Sequence, residues 1–300
     1  MNKLTTAKRA QIIGMLVEGV SMRSITRLTG VSINTVAKLL NDAGEACAAF
    51  HDARVRGIEG RRKIQCDEIW SFVYAKERNV PRAKAAPSGA GDAWTWTALD
   101  AKSKLIISYL MSSARDGEAA IEFMDDLRSR LEDRSQISTD GLSSYIEAVE
   151  GAFGGDVDFA QLVKLYGEPT GKQGHERKYS PSECVGTRKR RIEGNPDKDA
   201  ISTSYVERQN LSMRMGMRRF TRLTNAFSKR TEKLIAALHL YFVHYNFCRI
   251  HKTLRVTPAM EAGIDDKARD YEWIVGLIDA ITPAPKKPGP KIGTKYKKSK

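Results

Sequence analysis

Beyond residue 62 the chain changes its hydrophobic period, and that change limits its fold more than any single motif. Residues 64–74, 94–99 and 105–110 are rich in β-branched and aromatic side chains, with a polar turn at 100–104 between the last two. Residues 116–131 return to helical spacing through Ala120, Phe123, Met124 and Leu127. A short strand is expected at 136–139, ending on Asp140-Gly141, and then a helix from about Leu142. Three strands, a helix, a strand and a helix in that order predict an α/β unit, a mixed sheet flanked by helices. A final strand is expected near 159–166. The rest of 151–204 is Gly-rich and charged, and reads as an insertion at about 167–203. The run Arg188-Lys189-Arg190-Arg191 at its centre suits a solvated loop or a DNA-contacting loop equally. Long helices resume at 203–220 and 226–247, and a C-terminal helix is expected at 266–280. Residues 281–300 carry four prolines and seven lysines with no acid, and read as a basic disordered tail.

The first 50 residues predict a separate all-α helix-turn-helix domain. Ile12, Ile13, Leu16 and Val17 recur at helical spacing, and Gly19 stops that helix. A second helix spans about 22–29. Gly30-Val31-Ser32 turns the chain, and Ser32 caps a third helix at about 33–41. Ser32, Asn34, Thr35 and Lys38 then fall on the exposed N-terminal side of a recognition helix, where base edges and phosphates are reached. An ordinary three-helix capping unit is the bland alternative. Residues 51–62, with four arginines, read as a basic linker to a catalytic domain at 63–265.

The chain carries 50 Lys plus Arg against 36 Asp plus Glu, a formal charge of +14. An excess of that size favours a polyanionic partner. No apolar stretch is long enough to cross a bilayer, and residues 1–9 lead into a polar-apolar pattern rather than a secretory signal. Cys47, Cys66, Cys184 and Cys248 show no paired spacing, which argues against a zinc site and for a reducing compartment, a cytoplasmic and nucleoid-associated setting.

Three acids stand out as possible ligands for a hard divalent cation, which favours carboxylate oxygens. Asp67 lies inside an apolar strand, where a charge needs a partner. Alternation of side chains predicts that Asp67 and Glu68 cannot line one pocket. Asp140 ends the fourth strand, and open α/β sheets place their chemistry at such ends. Glu207 shares a helix face with Asn210, Arg214 and Arg218 over an expected helix 204–219, a face able to hold a metal at one end and phosphates along the rest. Considered alone, that face suits a solvated helix with internal ion pairs. Asp100 and Glu118 read as a turn residue and a first-turn helix acid, and Trp70, Trp94 and Trp96 as core. His239 and His244 read as helix-packing residues, and His251 as a DNA contact or a structural histidine.

The strings Cys66-Asp67-Glu68-Ile69-Trp70, Ser138-Thr139-Asp140-Gly141 and Tyr205-Val206-Glu207-Arg208-Gln209-Asn210 resemble the three acidic motifs of DDE transposases from bacterial insertion sequences, most closely the group typified by insertion sequence one. Residues 245–252 and Thr257-Pro258-Ala259 are similar to the end of many such catalytic domains. The resemblance covers about residues 64–263. It implies a ribonuclease H-like fold and two Mg²⁺ ions, with Mn²⁺ able to substitute, held by Asp67, Asp140 and Glu207. It also implies double-stranded DNA as substrate and a homo-oligomer assembled on DNA. The expected chemistry is water attack at an element end, then in-line attack of the freed 3′-hydroxyl on target DNA. A helix-turn-helix regulator without catalysis and a ribonuclease H-like nuclease or resolvase remain the alternatives.

Overall fold

A computed structural model describes residues 3–167, 184–221 and 225–283. The expected tail lies outside the described residues from 284 onward, as does 168–183 of the expected insertion. Three helices open the chain: α1 (Thr6–Val17), α2 (Met22–Thr29) and α3 (Ile33–Arg54). Thr5, Ser21 and Ser32 each accept a backbone N–H at a helix start, and Gly30 at φ 70° closes α2. The end of α1, the bounds of α2 and the turn at residues 30–32 agree with the sequence expectation, but α3 runs well past residue 41. It also takes up 51–54 of the expected linker, its buried stripe continuing through Ala43, Ala46 and Cys47.

Among the described residues the sheet has six strands: β1 (Lys63–Val73), β2 (Gly91–Asp100), β3 (Ile106–Ser112), β4 (Ser135–Thr139), β5 (Val157–Tyr166) and β6 (Cys184–Glu193). Their order is β3-β2-β1-β4-β5-β6. β2 and β3 run antiparallel to their neighbours, β4 runs parallel to both β1 and β5, and β6 is antiparallel to β5. This is the ribonuclease H-like mixed sheet flanked by helices that the sequence predicts. β6 corrects the expectation of an insertion loop. The basic run Arg188–Arg191 is strand, and its exposure on both faces left no hydrophobic alternation to read.

α4 (Gly117–Arg130) and α5 (Ser144–Phe153) cover one face, where Phe123 and Tyr145 pack on Trp96. α6 (Ser204–Gly216) and α7 (Thr231–Val243) cover the other; Tyr109 of β3 packs on Phe242 and accepts or donates a hydrogen bond with His239. A π turn at His244–Cys248 ends α7, and α8 (Pro258–Glu261) and α9 (Tyr271–Ile281) follow. The helix expected over 204–219 stops at Gly216. Arg218 begins a separate 3-10 turn, so it leaves the face that carries Glu207.

α3 packs along α7 and α9, and α9 packs on α1. The N-terminal helices thus share one hydrophobic core with the sheet and the C-terminal helices.

Candidate active site

β1 and β4 point their C-terminal ends to the same edge of the sheet, and the site is built where β4 stops. Their pairing runs to Gln65↔Ser138, and the same offset would set Asp67 beside Asp140. Asp140 follows the last residue of β4. Its Oδ1 accepts the Leu142 N–H at 2.9 Å, a side-chain turn that redirects the chain into α5.

α6 is fixed over the Asp67 face of β1 by Gln65. The Gln65 Oε1 accepts the N–H groups of Tyr205 (2.8 Å) and Val206 (3.2 Å), satisfying helix-start donors from inside the sheet. Glu207 then sits in the first turn of α6, where the helix dipole favours a carboxylate. One turn on, the Asn210 amide donates to Asp67 Oδ2 at 2.8 Å. Its Oδ1 is buried without a partner.

Carboxylate oxygens of Asp67, Glu68 and Asp140 lie within 4.8 Å of one another, a spacing able to hold a metal ion. The expectation that Glu68 faces away from this pocket is therefore corrected. Strand alternation fixes the direction of each Cβ, but β1 has no β4 neighbour past Gln65, and the longer Glu68 side chain reaches round that open end. Glu68 is almost wholly buried. Its Oε1 accepts the Tyr145 hydroxyl, and its Oε2 accepts Arg115 Nε at 2.8 Å. Arg115 Nη2 also donates to Asp140 Oδ2 at 3.0 Å, so one guanidinium ties two of the acids together.

Glu207 is near but outside that group. It forms an ion pair with Lys164 of β5 at 2.5 Å and accepts the Thr203 hydroxyl. Burial pushes Asp67 up to about 6, helped by the charges of Asp140 and Glu207 and opposed by its backbone bond and Asn210. Glu68 is pushed up to about 7 by burial; the Tyr145 bond and Arg115 oppose this, while Asp140 and Asp67 add to it. The site thus holds more negative charge than its two cations offset, and its donors are hard oxygens. That set fits a Mg²⁺-class ion, and the orphaned Asn210 oxygen adds a further oxygen beside Asp67.

No family model matches the chain, and no curated protein matches it. The solved structures similar to it include two transposase complexes. One is a Mos1 transposase paired-end complex with left transposon end, at 13% identity and TM-score 0.20, covering 50% of this chain and 58% of that one. The other is a piggyBac transposase synaptic complex with hairpin DNA, at 10% identity and TM-score 0.32, covering 92% of this chain and 70% of that one. The chain thus spans little more than half of the first. At these scores neither likeness adds to what topology and site establish.

The remaining expected residues divide. Arg214 is half-buried on α6, and Arg218 lies beside Gly19 at the α1–α2 turn, away from the acids. Ser32, Asn34 and Lys38 are exposed and Thr35 half-buried. Ser32 accepts the Asn34 N–H, and Lys38 pairs with Asp42. Asp100 is a buried turn residue, bonded by Ser103, and Glu118 is in the first turn of α4, as read from the sequence. His239 is bonded to Tyr109, and His244 is buried against Tyr271. Only Trp96 is fully buried core; Trp70 and Trp94 are half-buried, under Lys76 and Arg115. Sequence reasoning missed Arg115, Tyr145 and Lys164, for which it offers no periodic or motif signal.

Proposed function

We propose that the chain is a transposase that cuts DNA at the ends of an insertion sequence and joins those ends to target DNA. The observation that carries this is the convergence of Asp67, midway along β1, and Asp140, just past the end of β4, with Glu207 on α6 near enough for its charge to act on Asp67. Asp67 and Asp140 would hold divalent metal, with Glu207 released from Lys164 to complete the set. When bound, the ions polarise the phosphate and stabilise charge on the attacking and leaving oxygens. Within the chain, Asn210 orients the Asp67 carboxylate, Gln65 holds α6 in place, and Arg115 and Lys164 supply cations able to turn to phosphate oxygens. The α2–α3 unit, with Ser32, Asn34, Thr35 and Lys38 outermost, would recognise the element ends. Joining two ends in one event favours a homo-oligomer on DNA.

The test is a supercoiled donor plasmid carrying the flanks of the coding sequence, incubated with Mg²⁺. Wild type is expected to give cut and joined products. Asp67→Asn, Asp140→Asn and Glu207→Gln should each lose activity by about 100-fold or more. Variants as active as wild type would overturn the site, and binding without cleavage would favour the regulator. Cutting without strand-transfer joints would favour a nuclease or resolvase. A second ligand set has its own support, because Glu68 and not Glu207 lies in the close group. If Glu68→Gln abolishes cleavage while Glu207→Gln spares it, that set replaces the first.

A further inference from the structure

The basic run of β6 takes no part in the site described above, and its surroundings give it a use. Elsewhere the chain pairs many of its cations: Arg9 with Asp279, Arg61 and Arg134 with Asp158, Lys63 with Asp197, Arg130 with Asp126. Arg188, Lys189, Arg190 and Arg191 are all exposed, and none pairs with an acid among the described residues. Among the described residues, Lys189 alone of the four has a hydrogen-bond partner, the Lys198 carbonyl. Cations on an edge strand do discourage pairing with other chains. Four in succession do more than that, because they repel one another and none of them is held in an ion pair among the described residues.

The register divides the run between two faces. Arg188 stands opposite Val163 and Arg190 opposite Gln161, so these four share one face of the β5–β6 ribbon. That face adjoins the segment that follows Asp140. The Gln161 amide donates to the Leu142 carbonyl at 2.9 Å, and the Val163 methyls lie against Gly141, where a Cβ would meet them at 3.4 Å. Gly141 and Leu142 directly follow Asp140. Two strand spacings, roughly 10 Å, therefore separate the end of β4 from the Arg188–Arg190 row. Lys189 stands opposite Leu162 and Arg191 opposite Ala160, on the face that also carries Lys164, the partner of Glu207, and there Lys189 is already bonded to the Lys198 carbonyl.

We propose that Arg188 and Arg190 form a DNA phosphate-binding row that guides the duplex toward Asp140, independently of base sequence. The partner follows from charge: an unpaired double cation, exposed and two strands from a carboxylate cluster, suits the phosphodiester backbone. The proposal rests on the reading of this chain as acting on DNA, and it assigns the approach surface that reading lacks.

Fluorescence anisotropy of the full chain with a short duplex of arbitrary sequence, without divalent metal and across about 50–200 mM salt, tests it. Each lost phosphate contact lowers the salt slope by about 0.9, so the Arg188→Ala/Arg190→Ala variant should lose up to about 1.8 and bind more weakly throughout. Arg188→Lys/Arg190→Lys should restore most of the slope. Lys189→Ala/Arg191→Ala removes the same charge from the Lys164 face, where Lys189 is already engaged by the Lys198 carbonyl, and should change the slope less. An equal or larger loss from the Lys189/Arg191 pair would overturn the assignment to the Arg188–Arg190 row, and no loss from either pair would overturn it outright. Wild type that binds without cutting would sink the transposase reading and leave the row standing. Wild type with no salt-dependent binding would sink both. Unchanged melting temperatures in all three variants keep the comparison about binding.

Discussion

Asp67 sits where burial and two neighbouring acids all oppose its charge. Its folded pKa, about 6, exceeds the ordinary value of 3.8. Between those values the folded state binds more protons than the unfolded one, so stability falls as pH rises through the window. Above about pH 6 the whole cost is present, on the order of 2–3 kcal/mol. Asp67→Asn keeps the shape and an acceptor for Asn210 while removing the charge. It should therefore melt higher than wild type at pH 8 and match it near pH 4. No gain at pH 8 would mean that Arg115 and Lys164 already neutralise the cluster. The same crowding explains what sequence could show of the site. Asp67 is legible as an acid inside an apolar strand, and Asp140 as an acid at a strand end just before Gly141. Glu68 was excluded by alternation, a rule about Cβ direction that says nothing of where a long side chain ends once the neighbouring strand stops. Arg115 and Lys164 reach the acids through the order of strands in the sheet, which spacing along the chain does not encode.

The crossing of α3 and α7 turns on Gly44. A Cβ there would stand 2.5 Å from the Ala236 Cα and 2.9 Å from its carbonyl oxygen, so both helices approach through their smallest residues. On an exposed helix Gly→Ala stabilises by roughly 1 kcal/mol. Here the sign should reverse, because the added methyl meets backbone that moves only with a whole helix. Gly44→Ala is expected to lower stability by about 1–3 kcal/mol in urea unfolding, and Gly44→Val by more. A stabilised Gly44→Ala would show that the helices shift apart at little cost. α4, with one buried face, and β1, an apolar strand covered on both faces, have ends that the sequence places nearly right. α3 was cut short because Asn41, Asp42 and Gly44 imitate a helix end, whereas Gly44 is there for packing. β6 was missed for the opposite reason, since a strand wet on both faces has neither apolar period.

At the scale of the molecule, the helices at the two ends of the chain close on each other. Arg9 makes a two-pronged bond to Asp279, at 2.6 and 2.8 Å, and Trp273 of α9 packs edge-on against Phe50 of α3 and beside Phe247. Burial of those rings removes apolar surface that neither terminal segment can cover alone. The sequence divides the chain at about residue 50, and a helix-turn-helix unit tethered by a linker would unfold on its own. With α3 shared between the N-terminal helices and the sheet's covering layer, the described core should instead unfold as a unit. The tryptophans allow this to be measured, because Trp70, Trp94 and Trp96 report on the sheet and Trp273 alone on the helical layer. In guanidinium, tryptophan fluorescence and far-ultraviolet circular dichroism are expected to give one coincident transition. Trp273→Phe, which silences the helical reporter, should leave the fluorescence midpoint aligned with its own dichroism midpoint. An earlier dichroism transition with the sheet tryptophans still buried would mean that the α1–α3 unit holds together by itself. It would then be the separate unit that the division at about residue 50 expects.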